Sequence, residues 1–322
     1  MNTTNVPLYG PDEVFALLDY EHCIVAVREA MKSFSGEAPQ QPLRAIVPIG
    51  PAKLFGVMPG VLPGREAFGA KLVSVFGDPS RPGRSAHEGV VVVFDQETGR
   101  VKCMADAHAI TSVRTAAASA VATDALARSD ATRLAIFGCG EQARSHVRAI
   151  SCVRKLQHVL VWGRSTDVTA AFVSRLQAET GLQVSAVADA REAADAADII
   201  CTVTTASTPV LLGKWVRPGT HVNAVGSSHA GPVEVDSELV VVSRYVADSR
   251  SSALVAAAEF LNAKAAGLIG DEHIVAEIGE VLLGRVPGRT SNDQITFYKS
   301  LGHIVQDLAA ADYVHARASG RQ

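Results

Sequence analysis

The chain predicts an α/β fold in two parts: a doubly wound parallel sheet over residues 119–300, and an α+β domain over 1–118 completed by the C-terminal segment 301–322. Three observations predict it. Beyond residue 131, short continuous apolar runs alternate with helical stretches, the pattern of strands covered on both faces by crossover helices. One of those runs enters a Gly-x-Gly-x-x-Ala turn, Gly138-Cys-Gly-Glu-Gln-Ala143, that opens a helix. Before residue 110, Gly and Pro punctuation divides the chain into strand-like segments, as in a mostly antiparallel sheet.

In chain order, residues 11–35 place Val14, Leu17, Leu18, Ile24, Val25, Val27 and Met31 at helical intervals interrupted near Tyr20-Glu-His-Cys23, which predicts two short helices. Strands are expected over 44–48, 53–58, 67–76, 89–95 and 101–105. Pro79-Ser-Arg-Pro-Gly83 serves as punctuation and Asp95-Gln-Glu-Thr-Gly99 as a hairpin turn. Thr111-Ser112 predicts the cap of an Ala-rich connector helix over 113–127. Arg114 then falls in its first turn, where a cation opposes the helix dipole unless an anion sits beside it. Strands follow over 131–137, 159–162 and 199–203, with a helix over 167–180 and an Ala-rich segment over 190–198. Residues 294–311 read as a last strand, loop and helix returning to the first domain.

The glycine turn carries specific chemistry. Gly138 permits a tight turn, Gly140 lets backbone approach a pyrophosphate, Ala143 allows close packing of helix on strand, and the amides at the helix start face the anion. These features predict a dinucleotide site on a Rossmann-type sheet. Dinucleotide domains that hold ribose hydroxyls place a carboxylate at the end of the second strand; here the sequence is Gly163-Arg164-Ser165-Thr166. A small residue, a guanidinium and two hydroxyls suit the 2′-phosphate of NADPH, with NADH as the alternative.

Composition limits the partners. Net charge is −3 with a pI near 6.4 and no dense basic run, so neither nucleic acid nor an anionic membrane is expected as a partner. Cys23, Cys103, Cys139, Cys152 and Cys201 lack Cys-x-x-Cys spacing and read as reduced, packed side chains. No ligand spacing among His and Cys calls for a metal. The start Met1-Asn-Thr-Thr-Asn-Val-Pro7 has no basic-then-apolar pattern, and no stretch reaches 18 uninterrupted apolar residues, so a soluble, cytoplasmic protein is expected.

Lys71, the helix segment Arg114-Thr-Ala-Ala-Ala-Ser-Ala120, the glycine turn, the strand end Asn223-Ala-Val-Gly226 and Ser300-Leu-Gly302 occur in order. With them the chain resembles the ornithine cyclodeaminase/mu-crystallin family over nearly its whole length. The resemblance implies a homodimer whose first domain supplies substrate contacts and the dimer sheet and whose second binds NAD(H) or NADP(H). It includes ornithine cyclodeaminases, alanine dehydrogenases and ketimine reductases. Arg44 matches the family arginine that touches the substrate carboxylate, Lys71 its lysine, and Arg114 the arginine of the connector helix. A Lys heading the otherwise apolar run Lys71-Leu-Val-Ser-Val-Phe76 independently asks for an anion. His87 matches a family histidine at the mouth of the site and is a candidate proton donor. The expected cofactor contacts are Gly138, Gly140, Glu141, Gln142, Ala143, Arg164, Ser165, Thr166, Thr204, Val225 and Gly226.

One position departs from the cyclodeaminases, which carry Asp two residues beyond the glycine of Asn-Ala-Val-Gly; here it is Ser228. A serine hydroxyl is no base near neutral pH without help, and the neighbouring His229 reads as a solvated loop residue, with a substitute acid or base as the alternative. The expected activity is therefore NADPH-dependent reduction of a C=N bond beside a carboxylate, with Δ1-pyrroline-2-carboxylate or Δ1-piperideine-2-carboxylate as the matching cyclic ketimines. Lys71, Arg114, His87 and Ser228 are the candidate catalytic groups, and Arg44, Lys71 and Arg114 the carboxylate clamp. Ornithine cyclodeaminase, alanine dehydrogenase and an NADPH-loaded ligand carrier are the alternatives.

Overall fold

The computed structural model describes residues 6–37, 41–51, 53–64, 67–76 and 87–320. The punctuation expected at 79–83 and the loop before His87 lie outside the described residues. The chain divides into two compact units, Met1–Thr115 with His303–Gln322, and Ala116–Gly302.

The first unit opens with β1 (Leu8–Tyr9), α1 (Pro11–Leu17) and α2 (Tyr20–Glu37). It continues through β2 (Ala45–Gly50), β3 (Lys53–Leu62), β4 (Ala67–Phe76), β5 (His87–Asp95) and β6 (Val101–Asp106) to α3 (Ala107–Leu126), which runs through the unit boundary. The strands form one sheet in the order β1-β6-β5-β4-β3-β2, antiparallel except for the short β1–β6 pair, which the sequence did not signal. Residues alternate sides along β4, so Ala67, Gly69 and Lys71 share the buried face. Lys71 therefore sits in mid-strand, opposite Met58 and Val91, rather than at the head of an apolar run.

The last helix of the chain, numbered after those of the second unit as α11 (Ile304–Ala318), packs against α2 and across β3, β4, β5 and β6. Small residues make this approach possible. A Cβ on Gly60 would come within 2.4 Å of Ile304, and one on Gly69 within 2.0 Å of the Val92 carbonyl and 3.0 Å of Leu308. At the far edge, every residue of β2 is exposed, including Ile46, Val47 and Ile49.

The connector helix differs from the expectation. It starts at Ala107, and Asp106, not Thr111 or Ser112, accepts the Ala109 amide at its N-terminus, at 2.7 Å. The Asp cap was hidden because it is also the last residue of β6. Arg114 consequently lies roughly two turns into the helix, beyond the reach of the terminal dipole, so its counter-charge has to come from another element.

The second unit holds strands β7 (Arg133–Phe137), β8 (His158–Trp162), β9 (Val184–Val187), β10 (Ile199–Thr202), β11 (His221–Ala224), β12 (Arg244–Ala247), β13 (Ile274–Glu277) and β14 (Thr296–Lys299). Its helices are α4 (Glu141–Ser151), α5 (Thr166–Thr180), α6 (Ala190–Ala196), α7 (Ser237–Val242), α8 (Arg250–Ala256), α9 (Ala258–Ala265) and α10 (Ile278–Leu282). All eight strands are parallel, in the order β13-β12-β14-β11-β10-β7-β8-β9. Apolar cores lie on both faces, one around Phe137, Ile200, Val222 and Phe297, the other around Leu134, Ile136, Val147 and Val159. This is the expected doubly wound sheet. The chain leaves β7 toward β8 and β9 and then crosses back to β10, so the turn after β7 stands at the topological switch point where such sheets bind ligands. Among the described residues no helix is long and apolar enough to cross a membrane.

Candidate active site

The dinucleotide turn forms where β7 ends. Gly138 adopts φ +126°, and a Cβ there would stand 2.9 Å from the carbonyl of Val203, just past the end of β10, so both its conformation and its neighbour require glycine. Gly140 caps α4 without a side-chain hydrogen bond, and a Cβ placed on it would meet no atom within 4 Å. That open space at a helix N-terminus is what a pyrophosphate needs, and it is why the turn fits a dinucleotide. Glu141 is exposed and Gln142 half-buried in the first turn, while Ala143 is buried in the core beneath.

A buried histidine holds this turn in place. The Gln142 carbonyl can only accept, so His146 Nδ1–H donates to it at 2.7 Å, leaving Nε2 to accept from Ser119 Oγ at 2.9 Å. Burial drives the His146 imidazole down to about 4, so the ring is neutral at physiological pH.

After β8 comes the corner 163–166. Arg164, Ser165 and Thr166 are all exposed; Ser165 caps α5 by accepting from the Val168 amide at 3.5 Å, and Thr166 is the first residue of that helix. A Cβ on Gly163 would fall 2.6 Å from both Cys139 Sγ and Thr169 Oγ1. The small residue thus lets this corner pack on the glycine turn, rather than clearing room for a phosphate, and Arg164 is the group turned to solvent.

At the ends of β10 and β11, Thr204, Val225 and Gly226 are joined by a residue the sequence did not single out. Glu234 accepts from Thr202 Oγ1 at 2.9 Å, from Thr204 N and Oγ1 at 2.6 and 2.7 Å, and from the Gly226 amide at 2.7 Å. Burial raises its carboxyl above the usual range, opposed by those hydrogen bonds and by the Lys299 charge. Beneath the next residues, Lys299 Nζ donates to the Ser227 carbonyl at 2.6 Å and to Glu259 Oε2 at 3.1 Å, in a fully buried ion pair. Ser227 in turn donates to the Pro232 carbonyl. Ser228 is half-buried and His229 exposed on the loop so anchored.

The cationic cluster belongs to the first unit. Lys71 from β4 and Arg114 from α3 are each 5 % exposed, and both donate to one oxygen, Asp307 Oδ1 of α11, at 3.0 Å from Lys71 Nζ and 3.0 Å from Arg114 Nε. Lys71 also donates to Thr111 Oγ1, and Arg114 Nη1 to Gln306 Oε1 at 3.0 Å. The counter-charge that Arg114 lacks on its own helix is therefore Asp307. Burial pulls the Lys71 ammonium down to about 8; Asp307 opposes this, and Arg114 and Arg44 add to it. Arg44, half-buried just before β2, also acts on His303, whose imidazole burial lowers to about 4. His303 caps α11 through the Val305 amide and lies on the Phe34 ring, with centroids 4.1 Å apart. Lys71, Arg114 and Arg44 are thus brought into one electrostatic neighbourhood. His87 is the first residue of β5, opposite Val75, and so belongs to a strand rather than to the loop in which it was expected; its side chain lies outside what the structure describes. No cluster of three or more His, Cys, Asp or Glu able to hold a metal occurs among the described residues.

With this geometry, residues 11–322 match the ornithine cyclodeaminase/mu-crystallin family. The chain belongs to that family. It is 34% identical over 307 residues to the Delta(1)-pyrroline-2-carboxylate reductase of Bacillus cereus, covering 95% of this chain and 94% of the relative. It is 36% identical over 276 residues to the ketimine reductase mu-crystallin of Mus musculus, covering 85% and 84%. Among solved structures, the Thermococcus litoralis Delta(1)-pyrroline-2-carboxylate reductase in complex with NADH and L-proline superposes with a TM-score of 0.94 at 31% identity, covering 98% of each chain. Sequence reasoning reached Lys71 and Arg114 through the family resemblance, supported for Lys71 by its apolar run and for Arg114 by its expected place in a first helical turn. It missed Asp307, Glu234 and Lys299, which carry no motif.

Proposed function

We propose that this protein reduces the C=N bond of a cyclic imino acid, Δ1-pyrroline-2-carboxylate or Δ1-piperideine-2-carboxylate, to the cyclic L-amino acid, with NADPH as the preferred reductant. The observation that carries the reading is the convergence of two buried cations, Lys71 and Arg114, on a single carboxylate oxygen, with the charge of Arg44 beside them. Two buried cations against the single carboxylate they share leave positive charge in excess, suited to a substrate carboxylate. The relatives named for reduction of such imines support the same chemistry.

In this reading Arg44, Lys71 and Arg114 hold the substrate carboxylate and thereby orient the adjoining C=N bond. The Lys71 ammonium, with its pKa near 8, is mostly protonated at neutral pH, and it keeps the imine nitrogen protonated so that the carbon accepts electrons. A reduced nicotinamide, when bound, supplies hydride to that carbon. The chain's contribution to holding it is the open turn at Gly140 with the start of α4, and Arg164 with Ser165 toward a 2′-phosphate. Ser228 supplies no carboxylate base, which argues against deamination of ornithine. We also assign the exposed apolar strand β2 to the interface of a homodimer, since Ile46, Val47 and Ile49 stand 47%, 46% and 54% exposed in a row.

The test follows NADPH absorbance against five- and six-membered cyclic imino acids and pyruvate with ammonia, and release of ammonia and proline from ornithine with NAD. Turnover of a cyclic imino acid well above the others is the expected result. Ornithine turnover by the unmodified protein would overturn the choice of reaction, and tight binding of ligand and NADPH without any turnover would make the protein a carrier.

A further inference from the structure

We infer that Asp307 is the positioning residue of the cationic clamp: one of its oxygens sets the spacing of Lys71 and Arg114 and its charge keeps Lys71 in the proton-carrying form. The inference rests on the imine-reductase reading above and adds a residue to it.

Three elements meet at this carboxylate. Asp307 is wholly buried, and both of its hydrogen bonds from the clamp land on Oδ1, while Oδ2 has no partner among the described residues. A carboxylate present only to neutralise two buried cations would gain by sharing them between its two oxygens. Concentrating both on one oxygen instead fixes the ammonium and the guanidinium to a common point. The surrounding contacts brace the arrangement: Thr111, itself tied to the Ala107 carbonyl at 2.6 Å, receives Lys71 from α3, and Gln306 receives Arg114 from the same turn of α11 as Asp307.

The charges that bear on the Lys71 proton come from three places: Asp307 from α11, Arg114 from α3, and Arg44 ahead of β2. The Thr111 hydroxyl that Lys71 meets is neutral, and beside Asp307 and Arg114 stand two further neutral groups, the His303 imidazole that caps α11, lowered by burial, and the Cys23 thiol of α2, held protonated by burial. Burial, Arg114 and Arg44 each favour loss of the Lys71 proton, and Asp307 is the anion that opposes them. Removing its charge while keeping its shape should therefore release that proton at lower pH.

The experiment uses the full chain as wild type, Asp307→Asn and Asp307→Glu. Lys71 is titrated directly by NMR in protein labelled at the lysine ε-carbons, with its signal assigned by Lys71→Arg, and the pH profile of kcat/KM for the cyclic imino acid is recorded beside it. For folded Asp307→Asn, both the Lys71 titration and the alkaline limb of the profile are expected to move down by at least about one pH unit, a tenfold loss of the protonated form on that limb. Asp307→Glu keeps the charge but displaces the oxygen, so the limb should stay in place while KM rises at least about fivefold. An unmoved Lys71 titration in folded Asp307→Asn overturns the inference. Should Asp307→Asn not fold, an unchanged KM in Asp307→Glu overturns it instead. A shifted Lys71 titration in a protein that reduces no imine would sink the proposed function and leave the role of Asp307 standing.

Discussion

Replacing Arg164 by Ala tests the cofactor reading at the residue where it is most exposed to failure. Arg164 is turned to solvent at the end of β8, beside Ser165, whose hydroxyl already accepts from the Val168 amide at 3.5 Å. A hydrogen bond to a charged group contributes about 1.5–3 kcal/mol, and solvent exposure and salt screening favour the low end. The expected effect is therefore a loss of roughly tenfold in affinity for NADPH. NADH, which has no phosphate at this position, should change by less than about twofold. Affinities of both nucleotides for wild type and Arg164→Ala, measured by quenching or energy transfer to the nicotinamide at low and high salt, decide the matter. The NADPH preference of the wild type should also shrink as salt is raised. Equal weakening of both nucleotides by the substitution, or tighter binding of NADH by the wild type, would refute the reasoning.

Three further outcomes are expected. Gly138→Ala should weaken binding of either nucleotide and lower the melting temperature, because φ +126° is strained for alanine and the Val203 carbonyl is only 2.9 Å from the new Cβ; unchanged binding would remove the turn from the site. His146 and His221, lowered by burial to about 4 and about 3, remain neutral in the folded second unit while the unfolded chain takes up protons below about pH 6.5. Their contribution is therefore complete above that pH and is lost as pH falls toward 4, about 2 kcal/mol for each by pH 5, so the melting temperature should drop between pH 7 and 5; a flat profile would contradict the buried neutral assignment. Ile46→Asp combined with Ile49→Asp should convert a dimer to a monomer with an intact fold, read by light scattering with circular dichroism, and an unchanged mass would place any interface elsewhere.

What was legible from residue order alone was the part of the fold that depends on near neighbours in the chain and repeats over enough residues to show a pattern. The doubly wound sheet showed in contiguous apolar strands such as those ending at Phe137 and Trp162, and the glycine turn showed because its three small residues do their work within six positions. The short strands β1, β9, β12 and β13 escaped because two to four residues carry too little periodicity to separate strand from loop. Lys71 stood out as a charge in an apolar run, and Arg114 as a cation expected in a first helical turn; the demand for an anion held although α3 starts roughly two turns earlier. Which anion could not be read, because Asp307 lies 236 positions from Lys71 and 193 from Arg114. Glu234 and Lys299 were silent for the same cause: each looks like an ordinary surface charge until the sheet brings Thr204 and Gly226 to the one and Glu259 to the other. Local sequence dictates backbone conformation and the residues that must be buried, since those follow from sterics and from water's exclusion of apolar surface. The partners of buried charges follow from tertiary packing, since a carboxylate is worth burying only where the folded chain delivers a donor to it.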